Sequence, residues 1–190
     1  MKKIKLSPVD YLFTGYDAYS IEFLIKYPNT LEASSLQKSL EKAVYLFWPL
    51  MGRLNSVDGK NVDIVFKGER PKLNVIDWRH KPMPDFKNAD CLAKFSLPVK
   101  SVSGSLLANF NLYQLQKGSA LVVNISHCLV DGYSYFFFLS SWANLNPTFS
   151  LKKIFKQILT RPKHNRELLT PNFVASAPDL SSDQFFKRTG

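Results

Sequence analysis

Of the chain's three histidines, His80, His127 and His164, only His127 stands where a strongly apolar run meets a turn. Ala120-Leu-Val-Val-Asn-Ile125 precedes it, and the aromatic run Tyr133–Trp142 follows Asp131-Gly132 at once. An imidazole at the open end of a rigid strand can serve as a general base, because its proton exchanges near neutral pH. In the pattern His127-x-x-x-Asp131-Gly132, the Asp131 carboxylate can either cap the helix that follows or pair with a cation that fixes the loop. Gly132 allows a backbone angle or a close approach that a side chain forbids.

The spacing alone also fits a structural histidine, so other chemistries have to be compared with it. Ser126, Cys128 and Ser134 are nucleophile candidates beside His127, but no Gly-x-Ser-x-Gly elbow, Cys-His-Asn set or paired acid accompanies them. His127 and Asp131 have no third metal ligand at a readable spacing. Neither a Gly-x-Gly-x-x-Gly nor a Walker-type loop occurs. The 15 Phe and eight Tyr fall in periodic core runs rather than between basic residues, which argues against base stacking and nucleic-acid binding.

The elements that must position His127 follow from hydrophobic periodicity. Lys5–Asp10 reads as a short extended piece ending in a Pro-containing turn, and Tyr19–Tyr27 as a strand stopped by Pro28. Leu36, Leu40, Ala43, Val44 and Phe47 recur at helical spacing, and Pro49 and Gly52 then turn the chain back. Val62–Phe66 is a half-buried strand after Asp58-Gly59, and Leu73–Ile76 a shorter one; residues 77–93 read as irregular. Leu106–Leu115 and Ser119–Ile125, joined by Gln116-Lys117-Gly118, predict a hairpin whose second strand is apolar enough to be central. Tyr133–Trp142 predicts a helix that is apolar on most sides and has to be covered by protein. Leu151–Leu159 reads as a shorter amphipathic helix, and Arg161–Gly190 as a linker or tail.

A chain of 190 residues with 45% hydrophobic content can bury a single sizeable core. The net charge of +10 favours anionic partners, a phosphate-bearing co-substrate among them. The local excess at Lys152, Lys153, Lys156, Arg161, Lys163 and Arg166 reads as a solvated helix face and tail, with DNA or an anionic membrane surface as the alternative. Cys91 and Cys128 cannot staple a domain of this size and read as free thiols in a reducing compartment. Lys2-Lys3 is followed too soon by Pro8 and Asp10 for a signal peptide, and no apolar window nears the ~18 residues that cross a bilayer. The expectation is a cytoplasmic chain with no transmembrane segment.

Ser126-His-Cys-Leu-Val-Asp-Gly-Tyr-Ser134 resembles the His-x-x-x-Asp-Gly motif of the BAHD acyltransferases. Their relatives include condensation domains, carnitine acyltransferases and chloramphenicol acetyltransferase. Three further stretches agree in order: Leu6-Ser-Pro-Val-Asp10 resembles the opening segment, and Leu36–Leu54 the first helix with its Pro-Leu-x-Gly-Arg turn. Phe136–Ala143 resembles the helix behind the active site, so the likeness covers about residues 5–145. It implies an α/β, two-layer fold, half of a chloramphenicol acetyltransferase-like molecule, with a mixed sheet packed against helices. It also implies an enzyme that moves an acyl group from a thioester, acyl-coenzyme A as co-substrate, directly to a small-molecule hydroxyl or amine. By that likeness His127 is the base, Asp131 a structural residue turned away to an ion pair, and Gly132 the residue that leaves reactants room. No permanently bound cofactor and no metal are implied.

The departures from the family matter too. The Asp-Phe-Gly-Trp-Gly segment of the family's second half does not occur, and the position where condensation domains carry a second His holds Ser126. Residues 1–148 therefore read as an amino-terminal half-domain, and 149–190 as a helix and tail leading toward a second half. Three accounts follow. A partner half completes the site, or self-association completes it, or the chain is an inactive half-domain kept as a binding module.

Overall fold

The computed structural model describes residues 1–7, 9–15, 18–56, 62–85, 87 and 89–146. The expected helix Leu151–Leu159, the tail and the basic stretch at 152–166 lie outside these. Among the described residues seven strands run in chain order: β1 Lys2–Lys5, β2 Ser20–Tyr27, β3 Arg53–Ser56, β4 Val62–Phe66, β5 Leu73–Trp78, β6 Ala108–Leu115 and β7 Ser119–Ser126. The helices are α1 Ala33–Leu46, α2 Ala89–Ala93 and α3 Gly132–Asn144, with short 3-10 turns at Asp10–Phe13 and Trp48–Met51.

Two sheets form. The smaller is antiparallel, in the order β1-β4-β3; the larger is mixed, in the order β2-β7-β6-β5. The hairpin β6–β7 is antiparallel in the register Gln114↔Ser119, and its loop closes at Gly118, whose φ of 88° suits a residue without a Cβ. β5 joins β6 in parallel, which requires the long crossover through residues 79–107. Every residue of β7 is buried, as a strand covered on both faces must be.

The faces of β7 and β6 sort the core into two clusters. Phe110, Leu112, Leu121, Val123 and Ile125 pack under α1 and α3, against Leu40, Ala43, Val44, Tyr135, Phe138 and Trp142. Tyr113, Leu115, Ala120 and Val122 face the other way, against Phe95, with Trp78 and Met83 packed alongside. The indole N–H of Trp142 donates to Ser39 Oγ at 3.0 Å, which locks α3 onto α1 in one rotation.

Several boundaries differ from the expectation. Arg53–Ser56 is a strand, not merely a return turn. Only one of its four residues is apolar, so its pairing with β4 rather than its pattern makes it a strand. β5 runs on to Trp78 because Asp77 and Trp78 pair with Gln114 and Leu115. The irregular stretch at 77–93 ends in the helical turn α2. The apolar run Tyr133–Trp142 predicts a helix covered throughout, yet Tyr133 is 80% and Phe136 50% exposed to the described residues.

Candidate active site at the end of the central strand

β7 delivers His127 to the lip of the larger sheet. The backbone N–H of His127 donates to Tyr19 O at 3.1 Å, extending the β2–β7 ladder by one bond, and Ser126 N–H donates to Leu107 O at 2.8 Å. Ser126 and Cys128 on either side are fully buried, while His127 is half-buried. Ser126 Oγ lies 2.6 Å from Ser101 Oγ and 3.0 Å from Cys128 Sγ, so the turn that carries the imidazole is fastened from beneath. Among the described residues neither ring nitrogen of His127 has a hydrogen-bond partner. Its ring is instead stacked on Phe13, with centroids 4.0 Å apart and planes 16° from parallel.

Asp131 is the N-cap of α3. Its carboxylate accepts the backbone N–H of Ser134 at 2.7 Å, satisfying one of the donors that a helix start leaves open. The hydrogen bonds from Ser134 hold its pKa below the ordinary carboxylate value, with a smaller contribution from the charge of His127. Of the two roles open to Asp131, the cap is the one observed. The ion pair that the family likeness implied does not form among the described residues, and the side chain is exposed. At Gly132 the unusual backbone angle that glycine would allow is not used. The residue takes an ordinary negative φ, and a Cβ there would meet nothing within 4 Å among the described residues, so neither strain nor crowding calls for glycine. As the first residue of α3 it leaves open space beside the loop.

A cavity of about 370 Å³ opens at this end of α3, lined by Gly132, Tyr133, Phe136, Phe137 and Ser140. A second, of about 250 Å³, lies between α1, α3 and β2, against Trp142 and Leu36. Neither includes the His127 side chain. Among the nucleophile candidates, Ser126 and Cys128 are closed to solvent and bonded to each other, and Ser134 is half-buried, its N–H taken by Asp131. No group of three or more His, Cys, Asp or Glu able to hold a metal occurs among the described residues.

Sequence patterning missed three contributors. Phe13 lies far from His127 along the chain; the hint was its place just after the Leu6–Asp10 landmark. Ser101 sits in a stretch without periodicity. Glu22 on β2 accepts Asn124 Nδ2 at 2.6 Å and Leu97 N–H at 3.3 Å, making a polar row on the sheet face that also carries Ser126. Alternation marks such a face as solvated rather than as part of a site.

The fold these elements build is shared with solved acyl-group enzymes. It matches F. sporotrichioides TRI101 complexed with coenzyme A and T-2 with a TM-score of 0.59 and 17% identity, over 79% of this chain and 42% of that one. F. graminearum TRI101 complexed with coenzyme A and deoxynivalenol gives 0.60 and 15%, over 80% and 40%. The starter condensation domain of rhizomide synthetase gives 0.57 and 15%, over 75% and 37%. A linear gramicidin synthase of Brevibacillus parabrevis is 26% identical over 144 residues, 74% of this chain and 3% of that protein. The expected class therefore holds: a mixed α/β chain with the chloramphenicol acetyltransferase-like fold, spanning about two-fifths of the length of these solved structures.

The sequence model of the Transferase family matches residues 1–188, and the chain belongs to that family.

Proposed function

We propose that the chain is the amino-terminal part of a thioester-dependent acyltransferase, with His127 as the general base and acyl-coenzyme A as the donor. The observation that carries this reading is the imidazole itself. It stands half-exposed at the end of the buried central strand, its ring nitrogens unbonded among the described residues, in a fold solved elsewhere with coenzyme A. The imidazole takes the proton of an acceptor hydroxyl or amine while that oxygen or nitrogen attacks the thioester carbonyl carbon. The tetrahedral adduct then expels the thiolate, which takes the proton back from the imidazolium and leaves as free thiol. The net charge of +10 suits a phosphate-bearing donor. Asp131 and Gly132 contribute as cap and open corner of the loop.

A second half, or a second copy of the chain, would complete the reaction tunnel. The exposed Tyr133 and Phe136 beside the site and the two-fifths coverage of the relatives support that need. Cys91 and Cys128, neither of them in a disulfide, favour a reducing compartment such as the cytoplasm. Within the described residues no helix is long and apolar enough to cross a membrane.

Direct transfer is tested by incubating the chain with labelled acetyl-coenzyme A and a mixture of alcohols and amines, then weighing both protein and products. Label in an ester or amide product, with the protein's mass unchanged, is the expected result. Label kept covalently on the protein would replace direct transfer with an acyl-enzyme.

A further inference from the structure

We infer that Phe13 is a positioning residue for the His127 imidazole, setting the plane from which the base works. The inference rests on the reading of His127 as a base.

An imidazole turns freely about its outer torsion, which has broad rather than sharply staggered wells, unless something fixes the ring. Catalytic histidines are often fixed by a hydrogen bond to one nitrogen. Here no such bond exists among the described residues, and the one ring contact is the stack on Phe13 at 4.0 Å and 16°. A face-to-face contact restrains rotation of the ring plane, yet leaves both nitrogens free. The lone pair that takes a proton lies in the plane of the ring, at its edge, so a phenyl on one face does not block it. The stack thereby defines the plane in which an acceptor's hydrogen has to approach.

Phe13 is itself held in place. It ends the 3-10 turn Asp10–Phe13, where Asp10 accepts both the N–H and the hydroxyl of Ser7 at 2.8 Å. Tyr11 Oη accepts Val62 N–H at 2.9 Å, which ties the turn to β4. Just beyond Phe13, Gly15 N–H donates to Ser101 O at 2.8 Å. Ser101 Oγ in turn meets Ser126 Oγ, the residue before His127, at 2.6 Å. Phenyl and imidazole are thus anchored through the same buried Ser101–Ser126 pair, and their registration is built into the fold.

The test compares wild type with Phe13→Leu, which keeps bulk but loses the ring, and Phe13→Tyr, which keeps the ring. Proton NMR of the imidazole, assigned by comparison with His127→Gln, should show the His127 ring protons shifted upfield in wild type and in Phe13→Tyr. In Phe13→Leu they should return toward random-coil positions, with the rest of the spectrum unchanged. In transfer assays Phe13→Leu should lower kcat by about 10-fold to 100-fold with KM nearly unchanged, because the defect is in orientation rather than substrate contact. Phe13→Tyr should restore kcat. Unmoved ring protons in Phe13→Leu overturn the stack, whatever the activity. Moved protons with an unchanged kcat overturn the positioning role and leave the base reading intact. Equal activity in wild type and His127→Gln, with a normal stack, sinks the base reading, and the catalytic role of Phe13 with it.

Discussion

In the proposed reaction His127 is the chemical part of the motif and Asp131 the structural part, and the two are separable by mutation. Asp131→Ala removes the α3 cap and should cost about 1 kcal/mol of stability, whereas Asp131→Asn, an equally good cap, should cost little; urea midpoints at constant slope measure both. The pH dependence has a fixed sign. The folded pKa of Asp131 lies below its ordinary value, so the folded state holds fewer protons than the unfolded one near pH 4. Its contribution is therefore present above the unfolded carboxylate pKa and is lost as pH falls through the lower folded one. In Asp131→Asn the acid-side loss of stability should be smaller than in wild type. The motif itself was legible in the sequence because its residues are local. Phe13 and Ser101 were not, since what joins them to His127 is tertiary. The unusual backbone angle that glycine would allow at Gly132 is not used, because helix N1 takes an ordinary φ.

The central hairpin and the two long helices were legible for a physical reason: their apolar spacing matches the period of the element that buries them. β7 shows this at its limit, with both faces covered. β3 and α2 were not legible, being four and five residues long and formed by what they pair with or pack on. Arg53 shows what such a short strand does. Its guanidinium makes two bonds to Glu69, at 2.8 and 2.9 Å, and one to Gly104 O at 2.7 Å, holding the loop that leads back to Ser101. Within α3, one helix makes two opposite predictions. Phe138 is fully buried against Phe47, Phe110 and Trp142, and Phe138→Ala should cost about 3–5 kcal/mol. Phe136 is half-exposed, and Phe136→Ser should leave stability within about 0.5 kcal/mol while lowering any tendency to associate. Thermal and urea denaturation of the two variants check the pair.

Across the molecule, the exposed aromatics at the α3 end and the two-fifths coverage of the solved relatives support the proposal that another surface finishes the site. If a second copy supplies that surface, light-scattering mass should rise with concentration, and activity per chain should rise with it. A mass and specific activity that stay constant with dilution leave only a different partner or an autonomous site. The fold, the family and the mixed sheet were all legible from four ordered landmarks, but the proposed completing surface was not, because no residue of the motif specifies it. The proposed reaction turns on one proton, and His127 has to take it. Thiol release from acetyl-coenzyme A in the presence of acceptor is therefore compared for wild type and His127→Gln at equal folded concentration. General-base catalysis by His127 predicts a loss of at least about 100-fold on substitution, the usual share of such a group. Equal, measurable rates would contradict it and remove His127 from the transfer, whereas no release by either variant would leave a half-domain that is inactive by itself.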